Sequence, residues 1–120
     1  MIRVDNFTKT YNDFVAVRDL TFSVAPGEIL GLIGPNGAGK TTTLRVLSGI
    51  IPPGSGTLSV AGHDIVSEPI AAKQLLGYIP DDPRLFDTLT VWEHLEFIAA
   101  AYGVHDYKAA AGNSLPAEYL

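Results

Sequence analysis

The chain has 120 residues, 47% of them hydrophobic, which suffices for one domain with a buried core and argues against two. Its formal net charge of −5 provides no global basic field to hold nucleic acid through its phosphates, so direct DNA or RNA binding is not expected. Without cysteine there is neither a disulfide nor a thiolate metal site, and the redox compartment stays open; no apolar signal core follows Met1 and no apolar run is long enough to span a bilayer, which reads as a cytoplasmic protein.

Residues 2–7 and 15–24 alternate apolar and polar side chains around the polar break at Thr10-Tyr-Asn-Asp13, a pattern that predicts two strands joined as a hairpin. Ala25-Pro-Gly27 is a turn. Glu28-Ile-Leu-Gly-Leu-Ile33 is so uniformly apolar after Glu28 that it predicts a strand buried on both faces, lying centrally in its sheet. The next residues, Gly34, Pro35, Asn36, Gly37, Ala38, Gly39, Lys40 and Thr41, fit G-x-x-x-x-G-K-[ST], the phosphate-binding P-loop, between that strand and a helix that runs from about Lys40 and ends at Gly49.

The chemistry follows from the residue types. The glycines permit backbone angles closed to other residues and let main-chain N–H groups turn inward around an anion. A helix that opens there adds unpartnered N–H groups and the positive end of its dipole. Lys40 would bring a point charge to the β- and γ-phosphates, Thr41 a hydroxyl to Mg²⁺, and Thr42 a hydrogen bond to a phosphate oxygen. A Gly-rich turn before a helix by coincidence is the bland alternative, and the flanking strand and helix patterns count against it.

Past the helix, Ile51-Pro-Pro-Gly-Ser-Gly56 reads as a loop and Thr57–Ile65 as a strand with one glycine interruption. Pro69 opens a short helix to about Leu75, and Leu76-Gly-Tyr-Ile79 reads as a short strand halted by Pro80-Asp-Asp-Pro83. Thr90 and Glu93 make a capping box for a helix that ends near Gly103, with Val91, Leu95, Ile98 and Tyr102 on one face and Glu93 and Glu96 toward solvent. His63, His94 and His105 lack metal-ligand spacing and read as surface or satisfied residues. The tail, residues 106–120, has Gly112 and Pro116 within an Ala-rich run and is expected to be frayed or broken.

The run Lys9-Thr-Tyr11, Ala16-Val-Arg-Asp-Leu20, Gly27-Glu28-Ile29 and Gly31 through Thr42, continued by Leu47-Ser-Gly49, Pro53-Gly-Ser-Gly56, Gly62 and Gly77-Tyr-Ile-Pro80, closely resembles the start of an ATP-binding cassette (ABC) nucleotide-binding domain. The resemblance covers about residues 2–105. It implies an α/β P-loop NTPase fold of ABC type, represented by its N-terminal part: an antiparallel β portion, the P-loop strand and helix, and the beginning of the helical subdomain. It implies ATP and Mg²⁺ as cofactors, a second nucleotide-binding domain as dimer partner, and a membrane-spanning transporter subunit that holds the protein on the inner face of the cell membrane.

Tyr11 occupies the place of the family's aromatic residue that stacks on adenine. Asp81 stands where the family normally has the Q-loop glutamine, which touches Mg²⁺ and the attacking water and links the site to the membrane subunit. A carboxylate can still ligate Mg²⁺ but adds negative charge and cannot donate a hydrogen bond. Pro80-Asp-Asp-Pro83 resembles a variant of some exporter-type cassettes. The family's signature motif, Walker B acid, catalytic glutamate and switch histidine do not occur in this sequence, so no catalytic residue is assigned beyond Asp81 at the Q-loop position. Two further readings stay open: a soluble ABC ATPase of translation or DNA repair, and a non-catalytic nucleotide-binding fragment.

Overall fold

The computed structural model describes residues 1–116; positions 117–120 of the expected frayed tail lie outside the described residues. The chain divides into two compact units, the first Met1–Tyr78 and the second beginning at Ile79.

The first unit is built on the expected hairpin, β1 (Ile2–Tyr11) and β2 (Phe14–Val24), turning at Asn12 and Asp13. After helix α1 (Lys40–Leu47), strands β3 (Ser55–Val60) and β4 (His63–Asp64) complete an antiparallel sheet of order β2-β1-β3-β4, and helix α2 (Pro69–Gln74) follows. The expected single strand over 57–65 is thus two strands, because Ala61 and Gly62 both take positive φ and fold the chain back.

Strand β1 does not alternate cleanly, and the reason is local. Asn6 (φ 49) and Asp19 (φ 46) both adopt left-handed backbone where the β1–β2 register shifts. They hold one another through a 2.9 Å bond from Asn6 Nδ2 to Asp19 Oδ1. The Thr21 and Thr8 hydroxyls accept from the amides of Asn6 and Asp19, both at 2.9 Å. The bulge lets Val4 and Phe7, three residues apart, both face inward and become fully buried. They join Val17, Val46, Leu47, Leu58, Val60, Ile65 and Ala72 in one core, with α1 and α2 supplying its helical share.

The strands expected at 28–33 and 76–79 do not form. Ile29 and Ile33 are 96% and 97% exposed and Ile79 is 89% exposed, the reverse of a strand buried on both faces. A strand exists only through its ladder partner, and among the described residues β2 ends the sheet on one side and β4 on the other, with neither segment paired to them. Apolar composition alone therefore leaves these segments as irregular chain.

In the second unit, helix α3 (Val91–Tyr102) has the expected capping box. Thr90 Oγ1 accepts from the Glu93 amide at 3.3 Å, while a Glu93 carboxylate oxygen accepts from the Thr90 amide at 2.7 Å. Its predicted apolar stripe stays largely open, with Val91, Ile98 and Tyr102 exposed and Ala99 buried. The expected frayed tail is instead helix α4 (Tyr107–Ser114) over its described part. Ala109, Ala110 and Ala111 are the best helix formers, Gly112 subtracts only about 1 kcal/mol, and Pro116 falls beyond the last turn.

Candidate phosphate-binding site

The segment from Gly34 to Thr42 is a turn that feeds α1. Ala38 N–H bonds the Pro35 carbonyl at 3.1 Å, and Gly39, with φ 87, is the N-cap of the helix. No other residue would fit there, since a Cβ on Gly39 would stand 2.5 Å from the Ala16 carbonyl oxygen and 2.7 Å from a Val17 methyl. That contact seats the loop directly on β2. Thr43, 2% exposed, locks the junction: its hydroxyl donates to the Gly39 carbonyl at 2.8 Å and its amide to the same oxygen at 2.9 Å.

The amide of Thr43 makes the first bond within the helix, so the N–H groups of Lys40, Thr41 and Thr42 have no acceptor in the helix itself. No side chain caps this end, and the first turn carries no acidic residue. Lys40 folds back over the loop, where its ammonium donates to the carbonyls of Gly34 and, at 2.8 Å, Pro35. Asn36, Gly37, Ala38 and Thr41 are exposed and Thr42 is half-buried. The helix start thus offers unpartnered N–H donors beside one ammonium, with no acidic residue in the first turn to compete, which is chemistry suited to a polyphosphate.

Tyr11 lies at the end of β1, 44% exposed, opposite Phe14. Lys9, two residues before it, pairs with Val17, the residue that Gly39 leans on, so the hairpin brings Tyr11 to the end of β1 nearest the loop's seat. Asp81 is exposed and belongs to the second unit. Among the described residues no group of three or more His, Asp or Glu side chains is arranged to hold a metal ion. A cation here would rest on the Thr41 hydroxyl and on phosphate oxygens, as Mg²⁺ commonly does. Of the histidines, His94 accepts from the Phe86 amide at 2.9 Å and His63 pairs with Glu68 at 3.0 Å, as satisfied surface residues do.

Two parts of the site escaped the sequence reading. Thr43 was detectable as a threonine four residues after the glycine whose carbonyl it takes, the usual reach of a helix hydroxyl. The seat on Ala16 and Val17 joins residues distant in sequence and has no local signature.

A family model described as ABC transporter matches residues 17–117. The chain belongs to the ABC transporter family. The linearmycin resistance ATP-binding protein LnrL of Bacillus subtilis (strain 168) is 38% identical over 120 residues, covering 100% of this chain and 39% of LnrL. The SkfA peptide export ATP-binding protein SkfE of the same organism is 39% identical over 124 residues, covering 100% of this chain and 50% of SkfE. A solved ATP-binding subunit of an ABC transporter superposes with a TM-score of 0.81 at 36% identity, over 88% of this chain and 44% of that one. The chain thus spans half or less of the length of these family members, and its fold is a partial P-loop α/β cassette with an antiparallel sheet. No helix among the described residues is long and apolar enough to cross a membrane.

Proposed function

We propose that the protein binds ATP with Mg²⁺ as the N-terminal part, residues 1–105, of the ATP-binding domain of an ABC transporter of exporter type. The observation that carries this is the Lys40 ammonium, folded back onto the Gly34 and Pro35 carbonyls of the loop, at the start of a helix that no side chain caps. Its side-chain freedom is lost before any ligand arrives, so a polyphosphate gains the charge without ordering it. In this reading the amides of Gly37, Gly39, Lys40, Thr41 and Thr42 and the Lys40 ammonium neutralise the phosphates, Thr42 hydrogen-bonds a phosphate oxygen, Thr41 offers its hydroxyl to Mg²⁺, and Tyr11 carries the adenine on its ring face. Bound Mg²⁺ would supply neutralisation of phosphate charge.

The names of LnrL and SkfE, which speak of resistance and of peptide export, support a transporter over a soluble ABC ATPase. The proposal extends to a membrane-spanning partner subunit, a second nucleotide-binding domain as dimer partner, and a place on the inner face of the membrane. Asp81 is proposed to act at the Q-loop position, ligating Mg²⁺ and passing the state of the site to the membrane subunit.

Calorimetric titration tests the core of the reading. Lys40→Ala should weaken MgATP by about tenfold or more, the worth of a hydrogen bond to a charged group. Thr41→Ala should weaken MgATP more than metal-free ATP, and Tyr11→Ala should weaken ATP more than inorganic tripolyphosphate. Undiminished MgATP binding by Lys40→Ala would rule out the loop as a phosphate site.

A further inference from the structure

Lys9 is the one lysine of the first unit whose ammonium is fixed between a backbone carbonyl and an aromatic face. Its Nζ donates to the Pro52 carbonyl at 2.7 Å and lies over the Tyr11 ring, 5.2 Å from the centroid. That distance is within the range of a cation–π attraction. The loop that carries this carbonyl is pressed onto β1: a Cβ on Gly54 would stand 2.5 Å from the Thr8 carbonyl oxygen and 3.4 Å from Lys9 Cα. The register continues the contact, with Ser55 pairing with Thr8.

We propose that Lys9 is a positioning residue for nucleobase binding, holding Tyr11 from one ring face so that the other is presented to a purine. This rests on the reading of Tyr11 given above and adds a residue, a direction and a source of selectivity to it. The cation lies over one face of the Tyr11 ring, and with the cation there the residue is still 44% exposed. It also draws electron density from the phenol ring, so an electron-rich purine stacks more favourably on the opposite side. Lys9 has no part in the phosphate loop, where Lys40 is the cation, so its effect is confined to the base end of the ligand. Through Pro52 it also ties the hairpin tip to the loop leaving α1, joining the base end of the site to the phosphate helix by a short connection.

The test separates charge from tether. Lys9→Gln retains an N–H donor for the Pro52 carbonyl but removes the cation, and it should weaken ATP about two- to fivefold, the most that an exposed cation–π contact can contribute by holding the ring in place before the ligand arrives. Binding of inorganic tripolyphosphate should be unchanged, and Lys9→Arg should restore ATP affinity. In a Tyr11→Ala background Lys9→Gln should cost nothing further, since the two side chains act as one unit. Thermal unfolding of each variant identifies any that fails to fold, in which case Lys9→Arg and Lys9→Met carry the same comparison. The proposal is overturned if Lys9→Gln binds ATP as well as the parent, loses ATP and tripolyphosphate equally, or adds to Tyr11→Ala. If Tyr11→Ala itself weakens both ligands alike, the stacking role of Tyr11 falls and the role of Lys9 with it; if Tyr11→Ala discriminates and Lys9→Gln does not, only the present inference falls.

Discussion

Gly39 joins three constraints at one residue: a left-handed backbone, the N-cap of α1, and contact with β2 closer than any side chain allows. Gly39→Ala should therefore destabilise the first unit by about 1–3 kcal/mol, the cost of forcing a side chain into left-handed backbone, with more from the clash at Ala16. Chemical denaturation measures it, and a loss below about half a kcal/mol would mean that the loop does not rest on β2 in solution. The glycine spacing was legible in sequence because each glycine answers a local backbone need. The reason Gly39 must stay bare was not, because Ala16 and Val17 reach it only once the hairpin is formed. Lys9 and Tyr11 both fall within the family-like run, yet their partnership is a matter of where Pro52 comes to rest.

The helices were legible because their instructions are local. Pro69 opens α2, and Thr90 with Glu93 opens α3, each from within one turn. The Thr90 amide, then the Thr90 hydroxyl, both bonded to the Glu93 carboxylate, hold its pKa below the ordinary 4.5, with a smaller contribution from His94. A depressed carboxyl pKa means that the cap's contribution is complete above the unfolded value and is lost as pH falls through the folded one. The Thr90 amide resonance should accordingly titrate with a midpoint below 4.5, and Glu93→Gln, whose amide oxygen still accepts, should abolish that titration while keeping the helix. A midpoint at or above the ordinary value would show the box open in solution. α4 runs through Gly112 because a glycine within a helix is merely costly, and Pro116 lies past its end.

At the scale of the whole molecule, Ile29 and Ile33 project almost wholly into solvent. Replacing both by Thr should shift stability by no more than about 0.5 kcal/mol per site, as exposed positions do, and should raise solubility by breaking an apolar run. A large loss in thermal unfolding would mean that these side chains pack in solution. The same two residues mark the division between what was readable and what was not. The hairpin, the glycine-rich loop with Lys40 at the start of its helix, the starts of α2 and α3, and the family could be read from the sequence, because each is encoded within a few residues or in a motif of fixed spacing. Tertiary structure alone decided that 28–33 and 76–79 are not strands, that Val4 and Phe7 share a face, and that Gly39 sits on Ala16. Strand pairing, a bulge between two strands and a close backbone approach are properties of two segments at once, and no window along one of them contains the other.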